Sequence, residues 1–233
     1  MSKVELHYLK CIEDGFDADL EDAILLLDEE EKSRFESFKH LFGAQQFLQA
    51  RKITKTILGE KCATASHLIR FSYNSMKKPY LSGSQGWRFS IAHSNQIIVA
   101  AIAEVDVGVD TEHISRCQKV LSKAGSFLNA YVKQLVDAEP EGSVKAQLFA
   151  THWSCTEAFV KMRGTGMFQE KDRVECKYYG QFSDGKYYRF DNAYMMVFEH
   201  FDDLRLAISV EDSLPTVSLH NWRTGEKRLF IPT

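Results

Sequence analysis

Residues 105–112 read VDVGVDTE. Side chains alternate between the two faces of a β-strand, so the three valines share one face and Asp110 and Glu112 share the other. Two carboxylates on one face, two residues apart, can bind a hard cation such as Mg²⁺. Gly108 removes a side chain beside them, which predicts the approach of a bulky ligand. The same alternation also fits a half-buried strand that runs into a solvated acidic turn, and this segment alone leaves both readings open.

Two apolar runs precede this stretch, and a histidine lies at the turn between them. Residues 88–92 and 96–103 are predicted to be strands, and Ser90-Ile-Ala-His-Ser94 contains His93 where the first of them ends. A histidine in this position can be an ordinary turn residue, can bind a phosphate or can act as a base. The residues alone do not decide among these roles.

A helix is predicted over residues 147–163, ended by Gly164. It contains Trp153-Ser-Cys-Thr-Glu-Ala-Phe-Val-Lys161, in which Trp153, Glu157 and Lys161 are spaced i, i+4, i+8 and so lie along one stripe. A Glu four residues before a Lys is also a routine surface pair, worth only about 0.3–0.5 kcal/mol. The helix therefore offers a candidate functional stripe and an equally ordinary structural explanation.

Several basic residues are candidate anion ligands. Arg51 follows an apolar stretch on a helix predicted over residues 42–58 and ended by Gly59, and a guanidinium can bind phosphate with two hydrogen bonds. Lys78 and Pro79 lie in a basic loop. Residues 113–136 contain four basic residues and no acidic one: Arg116, Lys119, Lys123 and Lys133. This stretch is either a docking surface for an acidic partner or a solvated helix face.

Composition excludes several classes of function. The chain has 233 residues, 44% hydrophobic and 26% charged, with a net charge of −3, which is ordinary for a soluble globular protein and attracts neither nucleic acid nor membrane. Five cysteines without C-x-x-C spacing predict neither a disulfide framework nor a cysteine zinc site, and they fit a cytoplasmic location. The opening residues lack a secretory signal, and Ile97–Ala103 is too short to span a bilayer.

The pattern of elements predicts an α+β fold. Each half has helix first and then strands that end in an apolar run, residues 97–105 in one half and 204–212 in the other. We therefore expect two α+β lobes, residues 1–112 and 113–233, with a linker near residues 111–116. Other segments are predicted as strands at 4–8, 174–179, 186–190, 193–198 and 204–210, a tail pair near Val217 and Leu229, helices at 17–38 and 126–136, and a loop at 73–87.

Three motifs in order resemble the 4′-phosphopantetheinyl transferase superfamily, in its two-lobed form exemplified by the surfactin-synthetase-activating enzymes. They are IAHS at 91–94, GVDTE at 108–112 and WSCTEAFVK at 153–161. Upstream, FKHLFGAQQFLQAR at 38–51 resembles the arginine-bearing helix of the family, and KKPY at 77–80 resembles its Gly-Lys-Pro turn. The resemblance extends from about residue 34 to about residue 210.

The resemblance implies a pseudo-twofold pair of α+β lobes with the active site in the cleft between them. The implied activity is Mg²⁺-dependent transfer of the 4′-phosphopantetheine moiety of coenzyme A to a serine of an apo acyl or peptidyl carrier protein, with release of 3′,5′-adenosine bisphosphate. A two-lobed chain of this kind can work as a monomer. The implied roles are Asp110, Glu112 and Glu157 as metal ligands, Glu157 and Lys161 as catalytic residues, Arg51 and His93 as phosphate ligands, and Lys78 and Pro79 beside the adenine.

The chain departs from the family pattern at two positions. Thr156 stands where the family usually has Lys, and Ala92 stands where it often has Ser. The first change removes a positive charge beside the phosphates. Two other hypotheses therefore stay open, a relative that binds coenzyme A or carrier protein without turnover, and a metal-dependent hydrolase on an unrelated fold. The hydrolase hypothesis leaves the order of the three motifs unexplained.

Overall fold

The computed structural model describes residues 2–11, 19–83, 86–122, 128, 130–140, 142–166, 184–190, 192–198, 201, 203–212 and 214–232. The strands are β1 Lys3–Lys10, β2 Phe71–Tyr73, β3 Pro79–Leu81, β4 Arg88–Ser94, β5 Ile97–Ala103, β6 Val107–His113, β7 Tyr187–Phe190, β8 Ala193–Phe198, β9 Leu204–Glu211, β10 Thr216–Asn221 and β11 Lys227–Phe230. The α-helices are α1 Asp19–Ile24, α2 Glu29–Glu36, α3 Leu41–Lys61, α4 Ile114–Val120, α5 Ala130–Ala138 and α6 Ser143–Arg163, and Ser66–Leu68 form a 3₁₀ turn. The predicted α+β class is confirmed.

Two larger sheets and one small pair of strands make up the β structure. The first sheet has the order β11-β10-β1-β5-β4, the second has the order β6-β9-β8-β7, and β2 pairs with β3. β1 and β10 are parallel, whereas the other strand pairs are antiparallel. Apolar residues of both larger sheets share one core, which includes Leu6, Val99, Val109, Phe198 and Ile208. The sheets are therefore joined by a common hydrophobic interior.

Strands from before and after residue 112 pair with each other in both larger sheets. β6 pairs along its whole length with β9, and β10 pairs with β1. The structure has no linker at residues 111–116, because β6 continues to His113 and α4 begins at Ile114, whose N–H donates to the carbonyl of Asp203. That expectation was wrong. The division into residues 1–112 and 113–233 and the pseudo-twofold relation of the lobes stay predictions.

Of the two helix ends predicted at glycines, one is confirmed and one is wrong. Gly164 ends α6 in the left-handed conformation, with φ of 69°, as expected. Gly59 does not end α3, which continues to Lys61. A Cβ on Gly59 would lie 2.7 Å from the carbonyl oxygen of Thr64, so this glycine permits close packing of the following turn. Among the described residues, no helix is long and apolar enough to cross a membrane.

Other segments differ from their predicted bounds. The helical region expected at 17–38, as one helix or two, is two helices, α1 and α2, and the loop expected at 73–87 contains β3. α5 begins at Ala130, and residues 123–127, where a helix was expected to begin, lie outside the described residues. The strand expected at 174–179 also lies outside them. β8 has the predicted bounds, and the predicted tail pair is β10 with β11.

Candidate active site

The site begins where β6 meets α6. A Cβ on Gly108 would lie 1.9 Å from the carbonyl oxygen of Ala158 and 2.4 Å from the backbone nitrogen of Met162. Those distances are far below van der Waals contact, so only glycine allows the helix to lie this close to the strand. The space beside Gly108 is therefore filled by α6. The expectation that a ligand would approach there was wrong.

Asp110 and Lys161 form the central contact between these two elements. Lys161 Nζ donates to Asp110 Oδ1 at 2.6 Å, and Asp110 is buried. Burial raises the pKa of Asp110 above its usual value, although the charge of Lys161 acts in the opposite direction. Burial would lower the pKa of Lys161, but Asp110, Glu157 and Glu112 together hold it above its usual value. Lys161 therefore carries its positive charge in the midst of three carboxylates.

Glu112 and Glu157 complete the acidic group. Glu112 Oε1 accepts a hydrogen bond from Trp153 Nε1 at 3.0 Å. Burial, and then the charge of Asp110, raise the pKa of Glu112 to about 7. The same two causes raise the pKa of Glu157, one helical turn before Lys161. Asp110 therefore opposes the ionisation of both glutamates.

The donor set of this acidic group fits a divalent metal ion. Asp110 Oδ2 is buried and has no hydrogen-bond partner among the described residues. A hard cation takes oxygen ligands of this kind and would relieve the repulsion among three carboxylates. In the present arrangement the Lys161 ammonium compensates part of that charge. Among the described residues, potential metal-ligating atoms of three side chains lie within 4.8 Å of one another at a different place. These side chains are Glu5, His7 and His220.

His93 lies near the end of β4 with its side chain exposed. Desolvation by the surrounding protein lowers the pKa of His93, and positive charges on Lys161, Arg116 and Arg34 lower it further. Cations of α6, α4 and α2 therefore contribute positive potential at His93. This field favours an anion beside His93.

A cleft joins Lys78 and Pro79 to the acidic group. Its volume is about 210 Å³, and its lining includes Lys78, Pro79, Ile91, Glu157 and Lys161. A second cavity of about 510 Å³ adjoins it and shares Lys78, Pro79 and Phe89 with it. The structure thus brings together residues that lie far apart in the sequence, and leaves an open space between them.

The loop that contains Lys78 is held against the end of α6. Lys78 Nζ donates to the carbonyl of Met162 at 2.7 Å, and the side chain of Asn74 donates to the carbonyl of Gly164 at 2.8 Å. The Oδ1 atom of Asn74 also accepts from the backbone N–H of Lys78 at 2.8 Å. Burial lowers the pKa of Lys78. Sequence reasoning missed Asn74, although an Asn before a basic turn is a common signal for such a loop.

Arg51 lies in a buried ionic network. Its Nε lies 2.7 Å from Glu31 Oε1, and Lys55 Nζ lies 2.5 Å from the other oxygen of the same carboxylate. A third contact joins Arg51 to the hydroxyl of Tyr73 at 3.1 Å, and the guanidinium also lies over the ring of Phe47. Its proposed role as a phosphate ligand stays a prediction. Glu31 was not expected from the sequence as its partner.

Two serines of β4 fix the position of β6. The N–H of Val109 donates to Ser90 Oγ at 3.1 Å, and the N–H of His113 donates to Ser94 Oγ at 3.1 Å. Both serines are buried, so these contacts join the first sheet to the second. The signal in the sequence is the placement of two hydroxyls four residues apart in β4.

Comparison with known proteins supports the resemblance. A family model for the 4′-phosphopantetheinyl transferase superfamily matches residues 106–208. This part of the chain is therefore similar to that superfamily. It is similar to the 4′-phosphopantetheinyl transferase HetI of Nostoc sp., with 26% identity over 70% of each chain. It is also similar to the L-aminoadipate-semialdehyde dehydrogenase-phosphopantetheinyl transferase of Eremothecium gossypii, with 36% identity over 46% of this chain and 40% of that protein.

A further relative is the 4′-phosphopantetheinyl transferase psf-1 of Bacillus pumilus, with 28% identity over 59% of this chain and 58% of that protein. The matches thus span about 70% of the first relative and less than two thirds of the other two. The matched family region contains Asp110, Glu112, Glu157 and Lys161. The prediction of a transferase is confirmed at the level of the superfamily.

Proposed function

We propose that this transferase moves the 4′-phosphopantetheine moiety of coenzyme A to a serine of an apo carrier protein, with Mg²⁺ as its metal. The products would be the holo carrier and 3′,5′-adenosine bisphosphate. The observation that carries the proposal is the contact of Asp110 with Lys161 at the junction of β6 and α6. Glu157 and Glu112 also act electrostatically on Lys161, and Lys161 and Glu157 line the open cleft.

The names of the relatives support the transferred group. All three relatives described above are named as phosphopantetheinyl transferases. The names of HetI and psf-1 do not specify a substrate, and the Eremothecium gossypii relative is named for L-aminoadipate-semialdehyde dehydrogenase. We therefore propose the class of acceptor, a carrier protein, without choosing a pathway.

Asp110, Glu112 and Glu157 are the residues that would hold the metal ion. Bound there, Mg²⁺ would neutralise negative charge on the pyrophosphate of coenzyme A. The buried and unpaired Oδ2 of Asp110 supports this role, because an ionised oxygen without a partner is costly inside a protein. A binding step that removes that cost would favour the metal-loaded protein.

Lys161 would bind the phosphoryl group that is transferred. Its ammonium lies in the same cleft as Glu157 and so can shift from Asp110 toward an anion bound there. A fixed positive charge is most valuable where charge develops in the transition state. Glu157 would accept the proton from the serine hydroxyl at its carboxylate. A carboxylate that lines the cleft can serve as such a base.

The remaining predicted ligands would hold the rest of coenzyme A. His93 lies in a field of three cations and would face a phosphate. Lys78 and Pro79 line both cavities and would flank the adenine. Little covalent chemistry falls to the protein in this reaction, so positioning of the two substrates would account for most of the rate.

The decisive experiment is incubation with coenzyme A, Mg²⁺ and a panel of apo carrier proteins, read by intact mass. We expect one carrier to gain a single phosphopantetheine, and chelation of the metal to stop the reaction. Asp110→Asn should remove nearly all turnover. Lys161→Ala should slow single-turnover transfer by roughly 30- to 1000-fold, the cost of about 2–4 kcal/mol in the transition state.

A matched control is Asp137→Asn, which removes an exposed acid on α5 that pairs with Lys133. This variant should transfer at the wild-type rate. Full activity in excess chelator would overturn the metal assignment. Absence of transfer to every carrier, with coenzyme A still bound, would instead support a binding protein without turnover.

A further inference from the structure

A second cluster of metal-ligating side chains lies on the first sheet and shares no residue with the acidic site. β1 and β10 run parallel, and in their register His7 is opposite His220 and Glu5 is opposite Ser218. Side chains two residues apart on a strand share a face, so Glu5, His7, Ser218 and His220 project from the same side of the sheet. The cluster therefore contains residues of both β1 and β10, which are distant in the sequence.

The contacts within this cluster are close. His7 Nε2 lies 3.4 Å from Glu5 Oε2. The rings of His7 and His220 stack with centroids 4.4 Å apart and an interplanar angle of 16°. One potential ligand atom from each of Glu5, His7 and His220 lies within 4.8 Å of the other two. Three donors on adjacent strands are thus gathered before any ion is bound.

We propose that Glu5, His7 and His220 bind a first-row divalent cation of the Zn²⁺ type. Two imidazoles and a carboxylate are donors that Zn²⁺ accepts readily, whereas Mg²⁺ prefers oxygen ligands alone. In a tetrahedral shell, two ligands at the usual distance from zinc lie about 3.3 Å apart. The distance from His7 Nε2 to Glu5 Oε2 matches that separation. Three protein ligands leave the fourth position to water.

Neighbouring residues orient two of the three ligands. Ser218 Oγ lies 2.9 Å from His220 Nε2, and Lys61 Nζ donates to Glu5 Oε1. Outer contacts of this kind fix the orientation of a metal ligand. The hydrogen bond from Lys61 takes one carboxylate oxygen and leaves Glu5 Oε2 turned toward His7. The ring of Trp222 packs edge-on against His7, with centroids 6.1 Å apart.

Binding would change the cluster in one specific way. Stacked rings do not direct two nitrogens at one point, so His7 and His220 would rotate out of their stack to share an ion. Lys61 opposes the ion by charge, because its ammonium contacts the same carboxylate. The bound ion would link β1 to β10 and stabilise the first sheet without entering the proposed reaction.

The test is titration of the whole chain with Zn²⁺ in saturating Mg²⁺, which is added to fill the proposed carboxylate site. We expect one equivalent to bind and the thermal midpoint to rise with zinc concentration, as mass action requires. Co²⁺ in place of Zn²⁺ should give the visible absorption of a tetrahedral site. His220→Gln should weaken binding by at least about tenfold, since loss of a ligand costs no less than loss of an outer contact.

Three more variants make the result interpretable. His67→Gln changes an exposed histidine on the 3₁₀ turn and should leave zinc binding unchanged. Asp110→Asn should also leave it unchanged, so failure of this proposal is separable from failure of the proposed function. Lys61→Gln removes the opposing charge but keeps a side-chain donor for Glu5, so it should tighten binding. Equal zinc affinity in wild type and His220→Gln, or no binding by wild type, would overturn the proposal.

Discussion

Gly108 on β6 touches the backbone of Ala158 on α6 so closely that a Cβ at residue 108 would lie 1.9 Å from the Ala158 carbonyl oxygen. This contact sets the distance between the two elements that carry the proposed site. Asp110 and Glu112 follow Gly108 on the strand, and Glu157 and Lys161 flank Ala158 on the helix. The geometry of all four side chains therefore depends on a residue that has no side chain of its own.

Gly108→Ala should destabilise the protein by at least about 2–3 kcal/mol. The added methyl group would clash with backbone atoms, which cannot rotate away as a side chain can. Urea unfolding measures the change. Gly43→Ala is the matched control, since its Cβ would meet only the side chain of Phe38, at 3.2 Å. Gly43 lies within α3, so alanine there should be neutral or stabilise by up to about 1 kcal/mol. Equal stability of both variants would contradict the role assigned to Gly108.

Thr156→Lys should not restore a missing phosphate ligand. Thr156 is buried, and its hydroxyl donates to the carbonyl of His152 at 2.8 Å. A lysine there would place an ammonium in the interior or force the helix to move, so we expect a loss of stability of about 2 kcal/mol or more. Chemical unfolding and single-turnover transfer are the measurements.

Thr156→Ser keeps the hydroxyl and is the matched control, with an expected change within about 1 kcal/mol. A Thr156→Lys variant that is stable and transfers faster than wild type would show that position 156 faces the phosphates after all. Slower transfer at unchanged stability would count against the buried position described here.

His152 should make the protein sensitive to acid. Burial lowers the pKa of His152 from 6.5 to about 4. Between these values the unfolded chain binds one more proton than the folded chain, so stability falls as pH falls, by up to about 1.4 kcal/mol per pH unit from this group. His152→Gln lacks this titration, and its deficit relative to wild type should shrink between pH 7 and pH 4. A constant difference in unfolding free energy across that range would refute the assignment.

Lys119 should contribute to encounter with the carrier protein. It is exposed on α4, beside Arg116, in the basic stretch expected to meet an acidic partner, whereas Lys123 of the same stretch lies outside the described residues. Lys119→Glu should raise the Michaelis constant for carrier about three- to tenfold and spare that for coenzyme A. The effect should diminish with added salt.

Lys32→Glu provides the charge-matched control for Lys119→Glu. Lys32 pairs with Glu29 on α2, within the N-terminal part of the chain and outside the basic stretch. Its reversal should leave both Michaelis constants near their wild-type values. Equal effects of the two reversals would indicate a response to net charge and no local docking surface.

The sequence predicted local features well and contacts between distant segments poorly. β8 has the predicted bounds because its apolar run is flanked by turn residues, and Gly164 ends α6 because a left-handed residue is a local requirement. Gly59 and Gly108 were misread, since their function is to admit backbone from another segment. The sequence shows where a glycine is, but it does not show which atoms occupy the space beside its Cα.

The structure brings together side chains that the sequence placed in two separate groups. Alternation in β6 grouped Asp110 with Glu112, the stripe on α6 grouped Glu157 with Lys161, and the family resemblance singled out all four. Their roles stay predictions. The pairing of Arg51 with Glu31 could not be read in the same way, because the acidic residues of α2 form an ordinary first turn and nothing local singles out one of them. A buried ion pair between helices depends on tertiary packing alone.

The parallel pairing of β1 with β10 has a consequence for folding during synthesis on the ribosome. Lys3 lies opposite Thr216, so β1 is synthesised long before its partner strand. Until β10 has been made, the nascent chain carries β1 with one unpaired edge, which is a template for association with other chains. We expect the first sheet to be completed only once β10 has emerged, and the unfinished sheet to be a client for chaperones that shield exposed strand edges.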